Sequence, residues 1–387
     1  MMVIEKKSKF LFLDGIRGIC AIYIALYHAQ LFTGYGLETS DLPLFLRPIS
    51  YFLSFGHYSI SVFIVLSGFC LTIPVVKSND KKLRGGFFAY IKRRAFRILP
   101  PYYCALSLFL LLIAILPILQ LKQDTAWDSK IPIDQGSVVS HILLVHNLSE
   151  DWFLKIDGPM WSVATEWQIY FIFPLLIILW NRFGIITSSL FATVIGFIPY
   201  IILPKSNNFY WAHPWYVGLF ASGMMAAVVV FSNNDKVSQI RKFFNWHVLG
   251  TISMVLLPII VVVTKFLYIL PLILVETICG YLISIIIMKY TINEIENKPK
   301  SIVSQVLCSK FAIAFGTFSY SIYLIHSPIL GLINLIFLKV PMGIATRFLF
   351  MTTIATSIAL SISYLFYYTV ERKSMSFAAK KPSPAII

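Results

Sequence analysis

The chain has 387 residues, of which 58% are hydrophobic and only 13% are charged. Soluble domains carry roughly 25% charged residues, so this composition excludes a water-soluble fold. The net charge is +15, but the cations lie in short segments between apolar runs, as the positive-inside bias of membrane proteins requires. A nucleic-acid-binding protein would collect them on one solvated face, so we expect no nucleic acid partner.

The apolar runs predict ten transmembrane helices, because a spanning helix needs about 20 mostly apolar residues. They lie near residues 11–32, 59–76, 102–121, 161–180, 184–203, 211–231, 246–264, 267–288, 311–337 and 343–370. An eleventh run, 137–148, is too short to cross a bilayer and predicts a re-entrant or interfacial helix. The predicted fold is an all-α polytopic membrane helical bundle. We expect one membrane domain, 11–372, between a cytoplasmic amino terminus, 1–10, and a cytoplasmic tail, 373–387.

Lysines and arginines between the runs predict the orientation of the bundle. With a cytoplasmic amino terminus, 23 of these residues fall in inside segments, 8 fall in outside segments, and Arg17 lies within a span. This asymmetry is what the positive-inside rule demands, and it places both termini in the cytoplasm. The basic segment 77–97 and the more acidic segment 122–160 then lie on opposite faces of the membrane.

Ionisable side chains within the spans are candidate functional residues, because each costs at least about 2.5–3.5 kcal/mol to insert. On the first helix Asp14, Arg17 and His28 fall on one face at 100° per residue. Arg17 is predicted to lie toward the cytoplasm and His28 near the outer face, about 16 Å apart along the axis. The alternative is structural: Asp14 and Arg17 neutralise each other, and a buried histidine bonds a neighbouring carbonyl.

Glu166 lies on the fourth span within a turn or two of the outer face, which is the predicted depth of His28. A carboxylate at that depth can fix the tautomer of an imidazole and raise its basicity, as in catalytic triads. We therefore expect Glu166 to pair with His28. The alternative is a carboxylate that caps the start of its own helix. Among the other intramembrane groups, His326 is a further candidate, whereas Glu276 is expected to be a structural hydrogen-bond partner.

A basic cluster precedes the predicted third span. Arg93 and Arg97 share a helix face at i and i+4, and Arg94 joins Arg97 at i+3. Guanidinium groups clamp phosphates through two parallel hydrogen bonds, which lysine does less well. The cluster is therefore a candidate phosphate site, and the alternative is a topology anchor that contacts anionic lipid.

Several of these residues belong to motifs that together resemble acyltransferase family 3, the polytopic membrane acyltransferases found chiefly in bacteria. The motifs run in the family's order and comprise Phe12-Leu13-Asp14-Gly15-Ile16-Arg17-Gly18 with Tyr27-His28, Gly56-His57-Tyr58 with Val62-Phe63-Ile64-Val65-Leu66-Ser67-Gly68-Phe69, Arg94-Ala95-Phe96-Arg97-Ile98-Leu99-Pro100, Trp161-Ser162-Val163-Ala164-Thr165-Glu166 with Tyr170 and Pro174, Gly316 with Ser319-Tyr320-Ser321-Ile322-Tyr323-Leu324-Ile325-His326, and Glu371-Arg372. Many members carry Asp and a second Phe where this chain has Ser61 and Ile64. We therefore expect only a packing role for the second-span motif.

The resemblance implies transfer of an acyl group, most often acetyl from acetyl-CoA, to a hydroxyl of a cell-envelope carbohydrate or glycolipid at the inner or plasma membrane. His28 would act as general base or carry the acyl group transiently, and Glu166, Arg17 and Asp14 are the other expected catalytic residues. Acyl-CoA would be a donor substrate rather than a bound cofactor, and no metal is expected. The residues expected to bind the substrate or acyl-CoA are Arg93, Arg94, Arg97, Ser162, Tyr320 and His326.

A transporter or flippase is the main alternative, in which Asp14, Arg17, His28 and Glu166 form a proton or substrate pathway. Transporters commonly have paired halves with broken helices, and the sequence has no such repeat. A membrane scaffold is the second alternative, but it leaves the polar face of the first helix unexplained. Membrane lipids are partners in every case.

Overall fold

The computed structural model describes residues 10–34, 39–203, 208–267 and 270–379. Within these ranges the chain is helical and has no strands. The helices are α1 (Leu11–Thr33), α2 (Arg47–Leu53), α3 (Ser59–Val76), α4 (Gly86–Ile115), α5 (Gln135–Ile142), α6 (Met160–Phe183), α7 (Ile185–Ile202), α8 (Tyr216–Phe231), α9 (Asp235–Phe243), α10 (Trp246–Leu267), α11 (Leu272–Ile295), α12 (Ile302–Leu307), α13 (Lys310–Thr317), α14 (Ser319–Ile336), α15 (Ile344–Phe350), α16 (Thr356–Phe366) and α17 (Arg372–Ala379). Residues 1–9 and 380–387, which belong to the predicted cytoplasmic termini, lie outside the described residues.

Ten helical segments among the described residues are long and apolar enough to cross a membrane. They are Leu11–Thr33, Arg47–Val76, Gly86–Ile115, Met160–Phe183, Ile185–Ile202, Tyr210–Phe231, Trp246–Leu267, Leu272–Ile295, Ser319–Ile336 and Ile344–Ser376. Each overlaps one predicted span, which confirms the all-α polytopic bundle. The short run near 137–148 forms α5, whose eight residues cannot cross a bilayer.

Helix α4 differs from its prediction because it continues through a pair of prolines. We expected a third span over 102–121, after Pro100, but α4 spans Gly86–Ile115. A proline removes the hydrogen bond to the carbonyl four residues earlier, and for Pro100 that carbonyl belongs to Phe96. The Ser374 hydroxyl of α17 donates to Phe96 O and replaces the missing bond. At about 45 Å, α4 is longer than the apolar layer of about 30 Å, so its arginine-rich first turns extend beyond that layer.

The last two spans also differ from their predicted bounds. The predicted span 311–337 is broken, because α13 ends at Thr317 and α14 begins at Ser319. The Ser319 hydroxyl donates to Gly316 O at 3.0 Å, a local bond that competes with the helix ladder. The tenth span is longer than predicted, because π-helical turns join α15, α16 and α17 into one segment that includes Ile344–Ser376.

Glycines let two helix pairs approach backbone to backbone. A Cβ on Gly18 of α1 would lie 2.1 Å from a carbonyl oxygen of α13, and one on Gly316 of α13 would lie 1.9 Å from Asp14 O. The same reciprocal contact joins α3 and α8, where a Cβ on Gly68 or Gly223 would meet a backbone oxygen at 2.0 or 2.1 Å. Such small residues allow the close packing typical of membrane helix interfaces. They bring α1 against α13 and α3 against α8.

Five helices, α1, α3, α4, α6 and α14, surround the polar interior. Helix α14 lies at the centre, with 83% of its apolar window buried, whereas α10 lies at the periphery with 17%. The segment between α4 and α6, residues 116–159, is called the cap below. Tyr102 and Tyr103 of α4 fasten it, since their hydroxyls donate to His141 O and Ile142 O at 2.9 and 2.8 Å. The cap therefore has a fixed position over one end of the interior.

Candidate active site

Two neighbouring cavities occupy the polar interior of the described residues. The first, called the arginine cavity, has a volume of about 270 Å³ and is lined by Arg17, Arg94, Arg97 and Glu166, among others. The second, called the histidine cavity, has a volume of about 280 Å³ and is lined by residues that include His28, His57, Lys130 and Trp161. Ile60 and Tyr323 line both spaces, so the cavities share a wall.

Three guanidinium groups give the arginine cavity an excess of positive charge. Helix α4 presents Arg94 and Arg97 to it, and α1 presents Arg17. Arg97 is exposed and Arg94 is half-buried, and Arg94 Nε has no hydrogen-bond partner among the described residues. Glu166 is the one carboxylate in the lining of this cavity. The arrangement is suited to a ligand that carries several phosphate charges.

Arg17 is held in place by two contacts. Its Nη1 donates to Asp14 Oδ1 at 3.1 Å, and its Nη2 donates to Cys70 Sγ of α3 at 3.1 Å. The ion pair that the structural alternative expects is therefore present. Because Arg17 also lines the arginine cavity, Asp14 acts as a positioning residue for a guanidinium that faces a ligand space.

Glu166 has partners other than the predicted one. Its Oε1 accepts hydrogen bonds from the Ser67 hydroxyl and from Tyr170 Oη, the latter at 2.6 Å. Both donors line the arginine cavity, and Glu166 does not line the histidine cavity. The structure thus separates Glu166 from His28. The contact from Ser67 also corrects the expectation of a packing role alone for the second-span motif.

His28 is paired with His326 instead. His28 Nδ1 lies 3.0 Å from Ile24 O and 2.9 Å from His326 Nε2, while His326 Nδ1 lies 2.7 Å from Ile322 O. A carbonyl oxygen only accepts, so both Nδ1 atoms carry the hydrogen in the neutral rings. His326 Nε2 is then an acceptor for the His28 Nδ1–H group. The remaining nitrogen of His28, Nε2, carries a lone pair and has no hydrogen-bond partner among the described residues.

The shared wall is fixed by hydrogen bonds at the start of α6. Tyr323 Oη donates to Pro159 O at 3.0 Å and lies 2.5 Å from Ser162 Oγ. One turn before it on α14, Tyr320 Oη donates to Ile98 O of α4 at 3.0 Å. These contacts place the hydroxyls of Ser162 and Tyr320, both predicted binding residues, in the arginine cavity.

The structure does not bring every predicted binding residue to the site. Arg93 does not line the arginine cavity, and its Nη2 donates to Arg84 O at 2.9 Å. His326, predicted to contact substrate, is the hydrogen-bond partner of His28. Glu276 accepts from Trp215 Nε1 at 2.6 Å and from Tyr216 Oη at 3.1 Å, as expected of a structural residue. Within the described residues no group of three or more His, Cys, Asp or Glu side chains could hold a metal ion.

Sequence reasoning missed a buried cation in the histidine cavity. Lys130 of the cap is 7% exposed and lines this space. Burial lowers the pKa of Lys130 to about 8, although the negative charge of Asp157 opposes this shift. Asp157 is fully buried, and burial raises its pKa. A lysine in a polar loop has no distinctive sequence signal. His57 was also missed, although its Gly56-His57-Tyr58 motif could have pointed to it.

Comparison with known proteins identifies the family. The acyltransferase-3 family model, described as an acyltransferase domain, matches residues 10–368. O-acetyltransferase OatA of Staphylococcus aureus strain MRSA252 is 21% identical over an alignment of 400 positions, which covers 96% of this chain and 59% of that protein. "Protein 2 in picA locus" of Rhizobium radiobacter is 29% identical over 168 residues, which cover 42% of this chain and 76% of that protein. No solved structure matches the chain.

The family match extends over nearly the whole chain. OatA of Staphylococcus aureus strain NCTC 8325 / PS 47 is similar to this chain to the same degree, with 21% identity over 95% of the chain. The chain spans about three fifths of the length of these OatA proteins, 59% in each case. The matched region contains Arg17, His28, Arg94, Glu166 and His326, and so the residues of both cavities. The chain belongs to acyltransferase family 3.

Proposed function

We propose that this protein is a membrane O-acyltransferase that transfers acetyl from acetyl-CoA to a hydroxyl of a cell-envelope carbohydrate or glycolipid. One observation supports the proposal most directly. His28 Nε2 has no hydrogen-bond partner among the described residues, and His28 lines a cavity that shares a wall with an arginine-lined cavity. The relatives named O-acetyltransferase support acetyl as the group and oxygen as the acceptor atom.

The arginine cavity is the proposed donor site. The phosphates of acetyl-CoA would contact Arg94 and Arg97, whose guanidinium groups form strong paired hydrogen bonds with such oxygens. The cavity is lined along α3 from Pro74 to Ile60, a distance of about 21 Å at the rise of an α-helix. An extended pantetheine arm that passes Arg17 would bring the thioester to the shared wall. The predicted orientation puts the entrance on the cytoplasmic face.

The chemistry follows from the free nitrogen of His28. His28 Nε2 removes the proton from the acceptor hydroxyl as its oxygen attacks the thioester carbonyl carbon. The tetrahedral adduct collapses, the carbon–sulfur bond breaks, and the leaving thiolate takes the proton from the imidazolium. His326 accepts from Nδ1–H throughout and so holds the ring in the required tautomer, the orienting role that a carboxylate has in other triads.

The same nitrogen also supports a covalent route. Nε2 would attack the thioester, and the carbon–sulfur bond would break to release the CoA thiolate. The acceptor hydroxyl would then take the acetyl group as the bond to Nε2 breaks, and its proton would neutralise the thiolate. The two routes are separated by incubating the purified protein with labelled acetyl-CoA without acceptor and trapping the products at once. Label bound to His28 identifies the covalent route, and its absence together with full activity identifies direct transfer.

The histidine cavity is the proposed acceptor site. Its walls include Tyr27, His57 and Trp161, and the Trp161 ring stacks on His213 with 4.1 Å between ring centroids. Aromatic faces with a few polar groups are typical of small-molecule sites. With the predicted orientation this cavity lies toward the outer face of the inner or plasma membrane, where an envelope carbohydrate is available.

The deciding experiment uses the full-length protein in sealed vesicles of known orientation. Radiolabelled acetyl-CoA is supplied at the arginine side and an envelope glycan extract at the histidine side. We expect acid-stable label on the glycan and free CoA on the donor side. Movement of acetyl-CoA or glycan across the vesicle without an acetylated product would overturn the proposal in favour of a transporter. Labelled glycan only on the donor side would overturn the two-sided geometry.

A further inference from the structure

Lys130 is a buried cation beside the proposed base and is not used in the mechanism above. It lies in the 3₁₀ turn Ala126–Lys130 of the cap and lines the histidine cavity with His28 and Ser327. The Ser327 hydroxyl beside it is also buried. A desolvated ammonium is costly unless it meets a negative charge, so its place in this cavity calls for an explanation.

The backbone around Lys130 is fixed. Ile156 N–H donates to Lys130 O at 3.1 Å, and Lys155 Nζ donates to Ile131 O at 2.8 Å. Gly158 leaves room for the ammonium, since a Cβ on Gly158 would lie 2.4 Å from Lys130 Nζ. One hydrogen bond to the backbone of Lys130, one to the backbone of its neighbour Ile131 and the absence of a side chain at Gly158 therefore fix where the lysine lies.

Asp157 supplies a counter-charge to Lys130 but makes no hydrogen bond to its ammonium group. Its carboxyl group is fully buried, and Lys130 Nζ makes no hydrogen bond to either of its oxygens. The N–H groups of Lys130 thus remain for a ligand in the cavity. A transient anion at this place would satisfy them.

We infer that Lys130 is a catalytic residue that donates a hydrogen bond to the oxyanion formed when the thioester carbonyl is attacked. This inference rests on the proposed function. The carbonyl oxygen becomes negative as the carbon–oxygen bond to the acceptor forms, and it loses that charge when the carbon–sulfur bond breaks. Lys130 keeps its proton in both steps. The same anion forms whether the acceptor hydroxyl or His28 Nε2 attacks, so the role is common to both routes.

Matched substitutions test the assignment in the acetyl transfer assay with purified full-length protein. Lys130→Met should lower kcat by about 10²–10³-fold, the usual effect of removing one oxyanion donor, with little change in KM for acetyl-CoA. Lys130→Arg, which keeps the charge, should retain more activity than Lys130→Met. Lys122→Met removes an exposed lysine of the same cap and should leave kcat unchanged.

Gly158→Ala is a second test that keeps the lysine. The added Cβ displaces the ammonium, and a misplaced group costs up to about 10²-fold in rate, so kcat should fall while the protein still purifies as a folded species. A parent protein that transfers no label overturns the proposed function and this assignment with it. A parent that transfers label while Lys130→Met and Gly158→Ala keep kcat within threefold overturns the assignment alone.

The pH profile of the parent protein tests the role without any substitution. The ammonium is the active form, so kcat should decline as the pH rises through about 8, the lowered pKa of Lys130. The other charged or titratable groups that act on it are Asp157, Lys155 and His28. A guanidinium stays protonated in this range, so Lys130→Arg should keep its kcat to higher pH. An identical alkaline limb in both proteins would overturn the assignment.

Discussion

The two cavities share a wall but differ in the elements that line them and in their chemistry, since α4 lines only the arginine cavity and the cap lines only the histidine cavity. The arginine cavity has charged walls, formed by Arg17, Arg94 and Arg97 with a single carboxylate. The histidine cavity has aromatic walls, one buried lysine and a histidine whose Nδ1 is fully engaged. Arg17 and His28 sit on one helix, about 16 Å apart along its axis. In the proposed mechanism, binding of the donor and activation of the acceptor therefore fall to separate side chains, so substitutions in the two cavities should affect different kinetic constants.

The largest effect is expected from His28→Ala. The substitution removes the base, whose contribution is typically about 10²–10⁴-fold, and should lower kcat by that factor without a large change in KM for acetyl-CoA. Both constants are measured from the kinetics of labelled acetyl transfer by the purified protein. His247→Ala, at an exposed position of α10, is the control. Activity within a few-fold of the parent would make His28 a structural residue.

His326→Phe should have the next largest effect, about a hundredfold on kcat. It removes the acceptor for His28 Nδ1–H, and a hydrogen bond to a group that becomes charged contributes about 1.5–3 kcal/mol. The double variant with His28→Ala should be little worse than His28→Ala alone, because the two act as a unit. Independent losses in this cycle would contradict the pairing.

Arg94→Ala and Arg97→Ala should act on the donor rather than on the chemistry. Each should raise KM for acetyl-CoA about tenfold, since a charged hydrogen bond is lost, and the lysine variants should lie between. Arg93→Ala is the matched control, because this side chain bonds Arg84 O outside the cavity. With acetyl-pantetheine, which lacks the nucleotide phosphates, the arginine variants should match the parent. Equal losses with both donors would exclude a phosphate role.

The smallest expected effect is the coupling free energy between Glu166 and His28 in a double-mutant cycle. Glu166→Gln and His28→Ala should be additive within about 0.5 kcal/mol, as for residues without shared contacts. Glu166→Gln and Ser67→Ala should be non-additive, because Ser67 donates to Glu166. Both cycles are read from kcat/KM. A strong coupling of Glu166 to His28 would restore the pairing expected from depth alone.

Sequence predicts this fold well where the signal is local. The ten spans follow from apolar length, a property of each segment by itself. The bounds of α4 do not, because Pro100 is accommodated by Ser374, whose partner on α4 lies 278 positions away in the chain. A tertiary hydrogen bond of this kind overrides the usual effect of proline and leaves no local pattern.

The candidate site shows the same contrast between local sequence signals and tertiary contacts. The family resemblance and the intramembrane charges point to Arg17, His28 and the arginine cluster, since ionisable groups in apolar runs are conspicuous. Depth along a helix places Glu166 near His28 but gives no information on the rotation of α6, and the partner is His326, 298 positions from His28. Lys130 lies in a polar segment where a lysine is ordinary, so only its burial in the folded chain distinguishes it.

The wall of Ile60 and Tyr323 between the cavities has an electrical consequence. In the proposed reaction the thioester on one side becomes a thiol, and the hydroxyl on the other side becomes an ester. The acetyl group moves from the thioester side to the hydroxyl side, and the hydroxyl proton moves the other way to the sulfur of CoA. Neither side therefore gains net charge. A carrier that moves one uncompensated charge works with or against about 2.3 kcal/mol for every 100 mV of membrane potential. The membrane potential therefore neither drives nor opposes the proposed net reaction, and the free energy of the thioester alone drives it.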